Sequence, residues 1–315
     1  MRQSELDKRL NEYKKRSHLQ ESSEDVLGRA VRWFGELHEG IKPIAVNYGH
    51  ADDFRSWLKK GRAGTTANTY LAMIGGFFSW MFRRGYIKTD PFDNIKRYSV
   101  VERQFEQYKP EEIERILRVA DIYWRAIVCL ALCSMRRAEI LNLCVSEIDF
   151  EHNHIHIKPK SRTERTWPWH IKDHNEALVG IDDSIAKLLL ELCEGLKGGG
   201  QPYVLLKPDR YKLNIDLQEA GELKHGLRNC PWGNFSRDFK KLLARARVRH
   251  KRFHSLRGTF ATERYNAGFE LIDLQYLMRH SSIQTTARYI KKVDGIKLID
   301  KSSRTFNKYY AANVQ

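Results

Sequence analysis

Residues 121–143 read DIYWRAIVCLALCSMRRAEILNL, and this stretch decides the architecture. Its first part, roughly 121–134, is an apolar run long enough for a buried helix. At Ser134-Met135-Arg136 the run stops at a sharp junction, and Ile140, Leu141 and Leu143 resume at helical spacing as a second helix. Arg136, Arg137 and Glu139 therefore stand at a helix break inside apolar surroundings. Charged groups there need a reason.

On the C-terminal side, Ile148, Phe150, Ile155 and Ile157 suggest short strands. A polar turn over 161–164 leads into Arg165-Thr166-Trp167-Pro168-Trp169, a hairpin signal in which Pro168 marks an edge or strand end. A helix is expected over 182–196. Gly198-Gly199-Gly200 then opens a long irregular segment reaching Gly233, with one short strand at Tyr203-Val204-Leu205-Leu206. Helices are expected at about 235–246, 255–267, 271–279 and 283–291. On the N-terminal side, Lys109-Pro110-Glu111-Glu112 starts a helix, with proline at its first turn and acids favoured by the helix dipole. Residues 88–109 read as a linker, broken by Asp90-Pro91.

The first hundred residues carry four helical stripes: Leu6, Leu10 and Tyr13; Val26 to Leu37, closed by Gly40; Phe54, Trp57 and Leu58, stopped near Gly61; and Tyr70 to Phe82, ending at Gly85. Four such stripes make a small helical bundle. The expected fold is mainly α with a small β-hairpin or sheet, in two domains: an all-helical one at 1–100 and an α+β one at 108–315.

The 315 residues include 42% hydrophobic and 30% charged side chains, enough for sizeable cores. Lysine and arginine number 55 against 39 acids, a formal net charge of +16. Such a chain attracts polyanions, nucleic acid first and an anionic membrane surface second. No run of about 18 apolar residues occurs, so no spanning helix is expected, and the polar N-terminus lacks a secretory signal's apolar run. Cys129, Cys133, Cys144, Cys193 and Cys230 form no CxxC pair and are odd in number, which fits reduced core cysteines in a cytoplasmic protein. His152, His154 and His156 alternate along an expected strand, but no cysteine or carboxylate cluster accompanies them. They read as solvated side chains and no metal is expected. Lys240, Lys241, Arg245, Arg247, Arg249, Lys251 and Arg252 form a basic run suited to DNA phosphates.

Three features could carry chemistry: Arg136-Arg137-Ala138-Glu139, His254-Ser255-Leu256-Arg257, and the segment from His280 to Tyr289. A phosphodiester under attack gathers negative charge on its equatorial oxygens. Two arginines can hold both nonbridging oxygens with paired donors, and histidines can donate hydrogen bonds or move protons. A lysine on a hairpin could protonate the leaving alkoxide, and a tyrosine hydroxyl can attack to give a phosphotyrosine. The covalent bond conserves the energy of the diester, so no ATP is needed. Side-chain cations can fill the electrostatic role of a metal, so no cofactor is called for.

The order and spacing of these boxes resemble the tyrosine recombinases, or phage integrase family. Cys133-Ser134-Met135-Arg136-Arg137-Ala138-Glu139 resembles T-G-L-R-x-x-E; Lys160-Ser161-Arg162-Thr163-Glu164-Arg165-Thr166-Trp167-Pro168 resembles K-T-G-x-x-R-x-V-P; His254 to Thr262 resembles H-x-L-R-H-T-F-A-T; Met278-Arg279-His280-Ser281-Ser282 resembles L-G-H-S-S; and Thr285 to Tyr289 resembles T-T-x-x-Y. The first domain, from Asn68-Thr69-Tyr70 to Asp90-Pro91, resembles the family's core-binding (SAM-like) DNA-binding domain. The resemblance implies that Arg136 and Arg257 clamp the phosphate beside His254 and His280, that Glu139 supports the site, that Lys160 is the general acid, with Lys158 two residues away, and that Tyr289 is the nucleophile. This chain departs from the pattern at Cys133-Ser134, Ser255, Gly258 (for the second histidine of its box) and Arg279 (for the glycine before His280).

What the resemblance implies for function is a site-specific recombinase that closes as a two-domain clamp on double-stranded DNA. It would work as a tetramer on two DNA sites, in the cytoplasm on the nucleoid, with no membrane association. The segment after Tyr289, with Ile296, Leu298, Ile299, Phe306, Tyr309 and Tyr310, would dock on a neighbouring protomer. Two alternatives stay open on sequence: a DNA-relaxing enzyme of the type IB topoisomerase kind, and a DNA-binding regulator without catalysis.

Overall fold

The computed structural model describes residues 5–290 except 18, 20, 101–104, 172–175, 197 and 224–230. Cys230 and the tail segment expected to dock on a neighbour lie outside the described residues. The chain divides into two compact units, Met1–Arg103 and Gln104–Gln315.

The first unit holds α1 (Glu5–Ser17), α2 (Glu21–Leu37), α3 (Tyr48–Lys60) and α4 (Gly64–Arg83). The four expected stripes bury one aromatic core. Leu27, Phe34, Phe54, Leu58, Ile74, Phe77, Phe78 and Met81 are all sealed from solvent, and Phe34 packs edge-on against Phe54 at 5.4 Å between centroids. Gly40 and Gly85, each at φ +73°, supply the left-handed turns that end α2 and α4. Most of the expected linker belongs to this unit: the Tyr98 backbone exchanges hydrogen bonds of 2.8 and 2.9 Å with the Asn68 side chain, and its hydroxyl donates to the Arg55 carbonyl.

The second unit contains α5 (Pro110–Val119), α6 (Ile122–Leu132), α7 (Arg137–Leu141), α8 (Asp183–Glu194), α9 (Pro208–Glu219), α10 (Phe235–Arg245), α11 (His254–Asn266), α12 (Leu271–Leu277) and α13 (Ile283–Ile290). It also holds an antiparallel sheet in the order β1 (Ile148–Asp149), β2 (His154–Ile157), β3 (Ala177–Gly180). Ile155 pairs with Ile148 on one side and Val179 on the other. The expected hairpin closes with Lys160 and Trp169 exchanging backbone hydrogen bonds of 2.8 and 2.9 Å. The mainly α fold with a small sheet is thus borne out.

Three local expectations are corrected. The segment from Gly198 to Gly233 is not irregular throughout, because Pro208 pre-sets the first turn of α9. Tyr203–Leu206 is not a strand; Tyr203 bridges to Cys144 alone, and the run is buried as a turn under Trp167, whose ring stacks on Tyr203 at 3.9 Å. The three histidines do not share a strand face. His152 lies in the turn beside the Asp149 carboxylate, and His156 contacts Glu176 across from β2.

Candidate active site

Two helix ends build the site. Helix α6 starts on Asp121, whose carboxylate accepts the Trp124 N–H at 2.8 Å. It stops because Ser134 adopts φ +67°, which lets the Met135 N–H reach back to the Leu130 carbonyl at 3.1 Å. Helix α12 ends the same way: Arg279 adopts φ +53° and the His280 N–H donates to the Gln275 carbonyl at 3.1 Å. Two positions where the resembled pattern carries glycine are thus held left-handed by serine and arginine.

Arg257 lies between these ends. It is 1% exposed. One terminal nitrogen donates to the Ser134 carbonyl at the end of α6 and the other to the Met278 carbonyl at the end of α12. Helix C-termini carry partial negative charge, so backbone dipoles take the place of a carboxylate here. Burial, then the charges of Arg279 and Arg136, pull the Arg257 guanidinium down to about 9. That still leaves it charged at neutral pH. Its Nε has no hydrogen-bond partner among the described residues.

Glu139, 3% exposed, organises the other two guanidinium groups. Its Oε2 accepts the Arg136 backbone N–H at 2.7 Å and Arg279 Nη2 at 2.8 Å, while Oε1 accepts Arg136 Nη1 at 3.0 Å. Arg136 Nη2 also donates to the Arg279 carbonyl at 2.8 Å, and Arg279 Nη2 to the Ser134 carbonyl at 2.9 Å. Arg279 stands out in the sequence only as a departure; in the fold it is a third arginine of the cluster.

Helix α13 carries Tyr289. Its hydroxyl lies 2.9 Å from His254 Nε2, and its ring runs nearly parallel to that of His280 at 5.9 Å between centroids. His280 Nδ1 is within hydrogen-bond distance, 2.9 Å, of the buried Thr286 hydroxyl. Burial pushes the Tyr289 hydroxyl above the usual phenol range, and the charges of Arg257, Arg288 and Arg136 pull against that rise. The fold therefore gathers Arg136, Glu139, His254, Arg257, His280 and Tyr289. Lys160 is placed differently. Its ammonium sits 2.9 Å from the Glu147 carboxylate and 3.2 Å from the Lys158 carbonyl. Among the described residues no group of three or more His, Cys, Asp or Glu side chains could hold a metal ion.

The basic run is also divided. Lys251 is buried against Glu112, Arg249 pairs with Glu106 at 2.9 Å, and Arg245 donates to the Val119 carbonyl. Lys240, Lys241, Arg247 and Arg252 are exposed. Among the described residues, no helix is long and apolar enough to cross a membrane.

A family model described as the phage integrase family matches residues 106–207 and 226–295. The tyrosine recombinase XerC-like protein of Caldanaerobacter subterraneus subsp. tengcongensis is 25% identical over 255 residues, 74% of this chain and 64% of its own length. Tyrosine recombinase XerC of Bacillus subtilis (strain 168) is 22% identical over 239 residues, 73% of this chain and 71% of its own. In fold, the chain is similar to the Tn1549 transposon integrase in complex with transposon right end DNA, with a TM-score of 0.70, 17% identity, and coverage of 96% of this chain and 99% of that one. It is also similar to a lambda integrase tetramer bound to a Holliday junction, with a TM-score of 0.62 at 12% identity, covering 90% and 76%.

Proposed function

This chain belongs to the phage integrase family, and from that premise we propose that it is a site-specific recombinase that cuts and rejoins double-stranded DNA through a 3′-phosphotyrosyl intermediate. Tyr289 attacks the scissile phosphorus, its proton passes to His254, and the bond to the 5′-oxygen breaks. Arg136 and Arg257 hold the nonbridging oxygens as charge builds on them. His280 lies beside the ring of the attacking tyrosine. Lys160 protonates the departing 5′-oxygen after leaving the Glu147 carboxylate. A 5′-hydroxyl of a partner strand then attacks the phosphotyrosine and releases Tyr289, so strand exchange proceeds without ATP. Glu139 aligns Arg136 and Arg279 and stays off the substrate.

The reading extends to the whole protein: residues 1–100 as a core-binding domain, 108–315 as the catalytic domain, a tetramer on two DNA sites, and action on the nucleoid in the cytoplasm. The observation that carries it is the pairing of a buried guanidinium, Arg257, whose hydrogen bonds among the described residues go to backbone carbonyls, with a tyrosine hydroxyl on a histidine nitrogen. A phosphate supplies what both lack, an anion and an electrophile. The test is a nicked suicide duplex that releases a short 5′-hydroxyl fragment. The wild type is expected to form a denaturant-resistant DNA adduct, and Tyr289→Phe to bind the duplex without forming one. An adduct that survives in Tyr289→Phe defeats the proposal.

A further inference from the structure

Gly258 lies inside α11, where glycine costs about 1 kcal/mol relative to alanine. Its backbone does not ask for glycine, since it has no positive φ. The reason is space. A Cβ at 258 would collide with Cζ and Cε2 of Phe105 and would stand 2.7 Å from Cδ1 of Tyr289. The ring of Phe105 fills that space and meets the Tyr289 ring edge to face, 4.9 Å between centroids at 83°.

Phe105 reaches this point from a fixed base. Three residues on, Tyr108 is 1% exposed. Its N–H donates to the Thr259 hydroxyl at 2.8 Å and its own hydroxyl to the Lys251 carbonyl at 3.2 Å. Lys251 Nζ in turn donates to the Gln107 carbonyl at 3.0 Å and to the Glu112 carboxylate. The segment 105–109 is thereby fastened to α11 and to the turn before it, directly beside Gly258. Tyr289 is the penultimate residue of an eight-residue helix. Its ring has Phe105 against it at a near-right angle, His280 nearly parallel to it and His254 at its hydroxyl.

We infer that Phe105 is a positioning residue for Tyr289: its ring occupies the volume left free by Gly258 and sets the direction in which the tyrosine hydroxyl points. The inference rests on the reading of Tyr289 as the nucleophile. Phe105 does not touch the phosphate. It narrows the arc through which the attacking oxygen can swing, and attack is steeply sensitive to that placement. Phe105 and Gly258 are then one device in two halves, and neither half can change alone.

The test compares Phe105→Ala, Gly258→Leu and the double variant in single-turnover adduct formation on the suicide duplex at saturating DNA. Phe105→Ala is expected to slow adduct formation at least about tenfold with unchanged duplex affinity. Gly258→Leu, which drives Phe105 out, is expected to slow it as much or more. The double variant is expected to be no slower than Gly258→Leu alone, because Phe105 is already displaced there, and to stay slow, because a Cβ at 258 stands 2.7 Å from Cδ1 of Tyr289 with or without Phe105. Penalties that multiply in the double variant, or a wild-type rate in Phe105→Ala, overturn the inference. A second readout needs no cutting: 3-fluorotyrosine at position 289 should change its fluorine shift in Phe105→Ala. An unchanged shift overturns the inference. A wild type that shows the shift behaviour but never forms an adduct overturns the recombinase reading instead.

Discussion

Lys160 and Glu147 form a buried ion pair, Nζ to Oε1 at 2.9 Å, with side chains 8% and 5% exposed. The carboxylate does more than neutralise the lysine: it also accepts the Cys144 N–H at 2.8 Å and the Lys158 N–H at 2.9 Å. Removing one partner of a buried pair costs roughly 3–5 kcal/mol. Glu147→Ala strands both the ammonium and two backbone donors, whereas Lys160→Met leaves a carboxylate that keeps two N–H bonds. Denaturant unfolding should therefore show the larger loss for Glu147→Ala. Lys160→Met should also cleave slowly, and a duplex with sulfur at the bridging 5′ position should restore its rate, because a thiolate departs without a proton. Slow cleavage of the sulfur duplex would mean that Lys160 has another task.

His254 and the raised Tyr289 hydroxyl make a pH prediction. Burial pushes the Tyr289 hydroxyl above the usual phenol range, so in the proposed mechanism its proton goes to His254 Nε2, 2.9 Å away. His254→Ala should lower adduct formation by roughly 10²–10⁴ near pH 7. Its residual rate should climb tenfold per pH unit up to at least pH 9, as phenolate becomes populated. A flat profile in that variant would remove His254 from the proton path.

Arg279 separates backbone strain from side-chain bonding. A non-glycine residue in the left-handed region costs roughly 1–2 kcal/mol, and Arg279 sits there at φ +53°. Arg279→Gly and Arg279→Ala both lose the bonds to Ser134 and Glu139, but only the glycine variant relieves the backbone. Calorimetric melting should rank Arg279→Gly above Arg279→Ala by about 1 kcal/mol, and both should cleave more slowly than the wild type because Glu139 loses its second guanidinium. Equal melting of the two variants would show that the left-handed turn carries no strain.

Burial of thiols makes the fold sensitive to alkaline pH. Burial pushes Cys133 and Cys144 up to about 12 and Cys193 up to about 11. An unfolded chain releases these protons near pH 8.5–9. Between those values the folded state holds more protons than the unfolded one, so stability falls as pH rises. Melting temperature should hold below about pH 8 and decline from pH 9 upward, and substituting the three cysteines with alanine should flatten the decline. A melting temperature constant from pH 7 to 10.5 would contradict this.

Periodicity made the helices of the first unit readable, because Leu27 and Phe34 in α2, and Ile74 and Phe78 in α4, repeat at the spacing that buries one face. Helix α9 escapes that reading because it turns Asn214 and Gln218 inward; Gln218 donates to the Thr163 carbonyl of the hairpin, and polar side chains in a core leave no apolar stripe. Strand β3 is four residues long with Leu178 facing solvent. The six side chains that the fold gathers all lie in boxes that stand out in the sequence, Arg136 and Glu139 in one, His254 and Arg257 in the next, His280 and Tyr289 in the last. Glu147, Phe105 and the role of Arg279 were not legible, because each acts through a partner distant in sequence, and no local pattern encodes such a pairing. Lys251 misled for the opposite reason: a lysine in a basic run resembles a phosphate contact until the fold buries it against Glu112.

Arg257 grips carbonyls that belong to Ser134 and Met278, early and late portions of the same unit. During translation, the second of these emerges from the ribosome only when synthesis is well advanced, and Tyr289 follows it. A nascent chain that ends before Met278 lacks one of the two carbonyls that Arg257 grips, and it lacks Tyr289 as well, so the cluster can close only after most of the second unit has been made.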